Sequence, residues 1–254
     1  MRLHEARRYI DEVSSELTSD NDRQFLSRVW ATDFKYYLSR VSELGFTKLG
    51  TVLDLGSGFG QWSIALAETS SGVIGLDYSS DRTRIASGIC QVIGKKNIRF
   101  TNGDMESLSF SDKSFDGVFC YSSIFLTNYR NSLREIYRVL RPGGRLYFCS
   151  NGLGWYLHNI IDGRNDANDF SSRDMGIQAI SNSFAYYSTG NTNRPESIIM
   201  ASKMVSPELE EMGFKILSVG PEGSVGRNKK ERQSVYPTHM YGHENVWEIL
   251  CMRT

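Results

Sequence analysis

Val52-Leu53-Asp54-Leu55-Gly56-Ser57-Gly58-Phe59-Gly60 decides how this chain folds. Its first half is a short apolar run of the kind that forms a buried strand. Its second half sets three glycines at alternating positions, and glycine lets a backbone turn sharply and approach a ligand closely. A helical pattern follows over residues 62–69. The glycines therefore join a strand to a helix whose first N–H groups face whatever polar atoms lie beyond the turn.

Beyond this unit, strand and helix patterns alternate. Strands are predicted at 51–55, 72–76, 97–101, 115–121 and 144–150, with helices at 62–69, 81–93 and 129–140. Such alternation implies parallel strands with crossover helices, an open α/β sheet. Before it, residues 1–46 read as helical, with Phe25, Val29, Trp30, Phe34, Tyr37, Leu38 and Val41 spaced by threes and fours and Gly45 as a stop. After it, residues 151–205 break the pattern: they are rich in Asn, Ser, Asp and Gly yet carry Trp155-Tyr156 and Phe184-Ala185-Tyr186-Tyr187. A structureless loop of that length is improbable, so a partly helical cap is expected there. Its aromatics suit a substrate stack and the cap's own core equally. Ser206-Pro207 then looks like an N-cap followed by proline at the first helical position. Two more strands are expected at 214–219 and 245–252. The expected organisation is a helical extension or lid at 1–46, a core at 47–150 and 206–254, and a substrate-side cap at 151–205.

The chain has 254 residues, with 29 lysines and arginines against 29 aspartates and glutamates. Zero net charge speaks against a nucleic-acid binder, which usually carries a basic excess. A basic stretch holding Arg227, Lys229, Lys230 and Arg232 leaves a local phosphate contact open. The four cysteines show neither zinc spacing nor CxxC pairing, and they read as small core residues in a reducing, cytoplasmic setting. No signal peptide and no apolar run long enough for a membrane span is present. No metal ligand set is evident, although Asp162, Asp166 and Asp169 in the cap leave a carboxylate site open.

One acid lies where a nucleotide site needs it. Asp77 ends the second strand, twenty-one residues past Gly56, and a carboxylate there accepts the hydroxyls of a ribose. Its bland reading is a turn-starting Asp before Tyr78-Ser79-Ser80. A dinucleotide site uses GxGxxG, whereas this loop is GxGxG with Asp54 two residues before it. That pattern resembles motif I of the class I methyltransferases that use S-adenosylmethionine, of the small-molecule, type 11-like kind. Gly75-Leu76-Asp77-Tyr78-Ser79 resembles the family's ribose-binding loop, and Asn102-Gly103-Asp104-Met105-Glu106 its adenine-edge segment. Phe115-Asp116-Gly117-Val118-Phe119 resembles its fourth strand, and Leu140-Arg141-Pro142-Gly143-Gly144 its turn into the fifth. These segments cover 51–150 in the family's order.

The resemblance implies a doubly wound, seven-stranded, mostly parallel sheet, with S-adenosylmethionine as cofactor. It implies that Asp54 and the backbone at Gly56, Ser57 and Gly58 face the cofactor's amino-acid end, and that Gly60 serves close packing. Asp77 takes the ribose and Tyr78 flanks the adenine. Asp104 accepts from the adenine amino group, with Met105 beside it. Tyr121 and Ser122 end the fourth strand near the sulfonium.

The acceptor end is less legible. Many small-molecule members place a His shortly after the fourth strand, where this chain has Tyr121-Ser122-Ser123-Ile124-Phe125. His158, beside the cap's Trp155 and Tyr156, and His239, before the last strand, are the candidate bases, with Tyr121 as a third catalytic candidate. Each histidine has an ordinary reading as an exposed or structural side chain. The expected activity is methyl transfer to an oxygen or nitrogen of a small polar molecule such as a sugar, a nucleotide sugar or a natural-product intermediate. An RNA or nucleotide methyltransferase and a non-catalytic, cofactor-binding partner subunit are the alternatives. Amino-methylating nucleic-acid enzymes usually carry an Asn/Asp-Pro-Pro-aromatic turn after the fourth strand, and Phe119-Cys120-Tyr121-Ser122 has no proline. A homodimer stays open.

Overall fold

The computed structural model describes residues 3–163, 165–190, 197–226 and 236–254. The basic stretch at 227–232 lies outside the described residues. Three helices open the chain: α1 (Leu3–Ser14), α2 (Asp20–Ala31) and α3 (Phe34–Glu43). The apolar spacing predicted helix here but not its two breaks. They fall at Ser19 and Asp33, whose side chains accept from the amides of Asp22 and Lys35 and so start new helices.

The alternating part follows as β1 (Leu49–Leu55), α4 (Gln61–Ala67), β2 (Ser70–Asp77), α5 (Ser80–Val92), β3 (Ile98–Asn102) and β4 (Phe115–Tyr121). A 3-10 turn (Ile124–Leu126), α6 (Tyr129–Val139) and β5 (Leu140–Asn151) complete it. Next come α7 (Leu153–Asp162), α8 (Ser172–Thr189), α9 (Ser202–Glu211) and β6 (Phe214–Pro221). A small hairpin, β7 (His239–Met240) with β8 (His243–Glu244), precedes β9 (Val246–Arg253).

The sheet has seven strands in the order β3-β2-β1-β4-β5-β9-β6. The first five are parallel, and β9 runs antiparallel between β5 and β6. The doubly wound expectation is met. The chain leaves β1 toward β2 and β3, then returns to place β4 on β1's other side. That reversal opens a crevice at the carboxyl ends of β1 and β4, where open α/β sheets bind ligands.

Alternation along β4 splits the core in two. Phe119 packs with Phe46, Trp62 and Tyr147 on the face covered by α3 and α4. Val118 and Cys120 pack with Leu133, Ile136 and Trp247 on the other face. One buried ion pair ties the first face to the sheet. Arg40 of α3 meets Glu248 of β9 at 2.5 Å, and that carboxylate also accepts from the Tyr147 hydroxyl and the Val225 amide.

One expectation needs correction. The helix before β6 begins at Ser202, not at Ser206, and Pro207 lies inside it. Ser206 does not cap an N-terminus: its hydroxyl donates back to the Ser202 carbonyl at 2.8 Å, as a mid-helix serine does. The cap's aromatics also divide. Tyr156 and Tyr186 are fully buried, whereas Phe184 is 73% exposed.

Candidate functional site

The glycine loop is built from the end of β2 as much as from its own glycines. The Leu76 carbonyl accepts from the amides of Gly56 (2.8 Å) and Ser57 (3.0 Å). Asp77 then reaches back, its Oδ2 accepting from the Gly58 amide at 2.8 Å and its Oδ1 from the Ser79 amide at 2.9 Å. An ionised carboxylate has about four acceptor positions, so each oxygen keeps capacity for a ligand hydroxyl. Asn102 steadies the turn from β3 by donating to the carbonyls of Asp77 and Tyr78. Gly60 holds a φ of +84°, and a side chain there would meet the Phe100 ring at 2.9 Å, so its absence serves packing.

Between these parts lies a cleft of about 370 Å³, lined by Gly56, Asp77, Tyr78, Asp104 and Met105 among others. Tyr78 presents a ring that is 78% exposed. The Asp104 carboxylate accepts from the Glu106 amide at 2.8 Å, while Glu106 holds the Asn128 amide at 2.6 Å. The segment after β3 is thereby tied to the one after β4. Sequence reasoning missed Arg82, Ser123, Leu126 and Thr127, which complete the lining. These sit on a helix face and after a strand, and only tertiary packing turns them inward.

Asp54 lies elsewhere. It is buried beneath the loop, accepts from the Ser63 hydroxyl at 2.5 Å and is not among the cleft's lining residues. Burial pushes its carboxyl up to about 7, against the Ser63 hydroxyl, and the Asp77 charge adds to the rise. Ser57 is buried in the loop, and its hydroxyl has no hydrogen-bond partner among the described residues. Gly58 faces α2: a Cβ there would stand 3.3 Å from the Phe25 ring. Arg82 stacks over Phe25 and pairs with Asp22 of α2 at 2.5 Å. The loop at 165–170 reaches the same helix, where Asp169 accepts from the amides of Asp20 and Asn21, both at 2.9 Å.

At the end of β4, the Tyr121 hydroxyl donates to Glu222 at 3.2 Å, and Tyr36 donates to the same oxygen at 3.3 Å. Burial first, with Glu222 reinforcing it, pushes both phenols up and keeps them as donors. Glu222 carries no motif and was not legible in the sequence. Ser122 adopts φ +54° and bonds the Cys149 sulfur through its amide and hydroxyl. His158 holds Asp162 through Nδ1 at 2.6 Å, and the Tyr241 hydroxyl donates to the same carboxylate. His239 lines a separate groove of about 1050 Å³ between the cap helices and the β7–β8 hairpin. No hydrogen bond joins Tyr121, His158 and His239; each belongs to a group of its own. Among the described residues no three or more His, Cys, Asp or Glu side chains are placed to hold a metal ion. No helix among them is long and apolar enough to cross a membrane.

Residues 52–144 match the family described as a methyltransferase domain. A demethylmenaquinone methyltransferase of Lactococcus lactis is 33% identical over 141 residues, which cover 54% of this chain and 56% of that protein. The chain spans roughly two fifths to three fifths of the length of the curated relatives it matches first. Among solved structures, an S-adenosylmethionine-dependent methyltransferase from Aquifex aeolicus aligns with a TM-score of 0.56 at 17% identity, over 90% of this chain and 93% of that one. A chain of the Haloferax volcanii complex between the Trm112 methyltransferase activator and a methyltransferase aligns with a TM-score of 0.60 at 18% identity, over 97% and 96%.

Proposed function

We propose that this chain, whose residues 52–144 match a methyltransferase domain and whose fold is like that of an S-adenosylmethionine-dependent methyltransferase, transfers a methyl group from that cofactor to an oxygen or nitrogen of a small polar molecule. A sugar, a nucleotide sugar or a natural-product intermediate fits the polar cap. The observation that carries the reading is the cleft in which the glycine loop, Asp77 and the Asp104–Met105 segment meet. The partly engaged Asp77 carboxylate suits a ligand with a ribose diol.

In this proposal Asp77 accepts the ribose hydroxyls and Tyr78 covers the adenine. Asp104 accepts from the adenine amino group, and the Met105 amide meets the ring edge. The backbone of Gly56, Ser57 and Gly58 faces the amino-acid end, and beneath that loop Asp54 ties β1 to α4 through Ser63. Tyr121 and Ser122 form the rim toward the acceptor. The chemistry that the cofactor supplies when bound is an electrophilic methyl group on a sulfonium. The chain's task is then mostly positioning, which is worth roughly 7–11 kcal/mol when the reacting atoms are aligned. A hydroxyl acceptor also needs a proton sink, worth about 10²–10⁴-fold. His158 is the first candidate: Asp162 fixes its Nδ1, leaving Nε2 to take the proton. His239 is the second.

The segment 1–46 serves as a lid, 151–205 as the cap, and 47–150 with 206–254 as the core. The pairs Asp22–Arg82 and Asp169–α2 latch lid to cofactor helix and lid to cap. Four buried thiols suit a reducing cytoplasm. A second copy of the chain is the partner to look for first, by light scattering. A second reading, an apolar acceptor, is favoured by the cap groove, where Leu153, Leu157, Phe184, Ile199 and Met204 line about 1050 Å³. The L. lactis relative is named for a quinone substrate. Calorimetry with S-adenosylhomocysteine and NAD tests the cofactor, and a panel of sugar, amine and quinone acceptors tests the rest. Turnover unchanged in His158→Ala would remove that residue from the mechanism.

A further inference from the structure

We infer that the N-terminal helices carry a second binding site, for a compact oxyanion of the carboxylate or phosphate kind, apart from the adenosyl cleft. A cavity of about 290 Å³ lies where α2, the start of α3 and the first residue of α4 meet. It opens beside a groove of about 600 Å³ between α1 and α2, and the two share Arg7, Trp30 and Ala31. Neither shares a lining residue with the adenosyl cleft.

Two lining side chains are buried with polar atoms left over. Trp30 is 8% exposed and Gln61 6%, and neither the Trp30 Nε1 nor the Gln61 Oε1 has a hydrogen-bond partner among the described residues. A buried donor without a partner costs about 1–3 kcal/mol, so each such atom calls for an explanation. The indole is a donor only, and the Gln61 amide can turn over to present its NH₂. Arg7 completes the set. It lines both spaces and has no ion-pair partner among the described residues. Arg28 and Asp11 line the outer groove, with Arg23, which is paired with Asp20 at 3.3 Å. Asp33 also lines the cavity, and its Oδ1 is engaged by the Lys35 amide. A guanidinium fork, an indole N–H and an amide together form a donor set for a small anion.

The site stands independently of the methyltransferase reading, and its test keeps them apart. Protein with ¹⁵N-labelled tryptophan gives four indole signals, one for each Trp. Trp30→Phe keeps an aromatic ring and identifies the Trp30 signal by its loss. Inorganic phosphate and malonate are titrated separately, against sodium chloride of matched ionic strength. The Trp30 signal should shift and saturate with one or both anions, the tighter of the two naming the natural head group. One lost charge-assisted hydrogen bond corresponds to about tenfold weaker binding in Arg7→Gln. Arg8→Gln, whose parent residue pairs with Glu12 at 3.2 Å, should leave the titration unchanged. A Trp30 signal that stays put, that follows chloride equally, or that responds alike in Arg7→Gln overturns the site. Displacement of the bound anion by S-adenosylhomocysteine also overturns it, because the cavity would then be the tail end of the cofactor's own site.

Discussion

Asp77 does two jobs with one carboxylate. It pins the glycine loop through the Gly58 amide, and in the proposed reading it receives a ribose. Hydrogen bonds to charged groups are worth about 1.5–3 kcal/mol each, so Asp77→Ala should weaken S-adenosylhomocysteine binding by roughly 10- to 100-fold in calorimetry. Asp54 makes a different prediction. Its folded-state carboxyl sits at about 7, above the ordinary 3.8, so between those values the folded protein holds more proton than the unfolded chain. Stability from this group therefore falls as pH rises through that window and levels off above about 7. Asp54→Asn removes the slope. The melting temperature of the parent relative to the variant should fall from pH 5 to pH 8, and parallel curves would contradict the burial of a charge there. Gly56 and Asp77 stood out by strand end and loop spacing and Asp104 and Met105 by the resemblance, and all four line one cleft. Glu222 and Arg82 were not legible, since their neighbours come from 101 and 60 residues away.

Short local signals misled where tertiary contacts outvoted them. Ser206-Pro207 reads as a helix start, yet α9 begins a turn earlier, where Glu244 accepts from the Ser202 amide and hydroxyl. Pro207 thus sits in a helix interior, where proline costs about 3 kcal/mol relative to alanine. Pro207→Ala should raise stability by about 1–2 kcal/mol, after allowing for the looser unfolded chain, as read by urea unfolding. A variant no more stable than its parent would place the helix start at 206. The N-terminal helices were legible as one amphipathic stretch, and their breaks were not, because Ser19 and Asp33 cap only in context. If α2 is a lid, its latch has a kinetic signature. A partly exposed pair is worth up to about 1 kcal/mol, so Asp22→Asn should release S-adenosylhomocysteine about fivefold faster in stopped flow. An unchanged rate would leave α2 as packing alone.

The molecule as a whole is a sheet whose reversal point creates the crevice and whose flanks close it. Strand alternation made the parallel half legible. The antiparallel insertion of β9 between β5 and β6 was not legible, since periodicity does not order strands. The Arg40–Glu248 pair binds helix α3 to that inserted strand. Removing one partner of a buried pair typically costs 3–5 kcal/mol, so Arg40→Met should lower stability by about that much while leaving the order of ligand preferences intact. The measurement that decides most is calorimetric titration of the intact chain with S-adenosylhomocysteine, run beside Asp77→Ala and beside NAD. One saturable site per chain, lost or strongly weakened in the variant and absent with NAD, is the expected result. No binding of the adenosyl ligand, or equal binding in Asp77→Ala, would contradict the cleft's assignment.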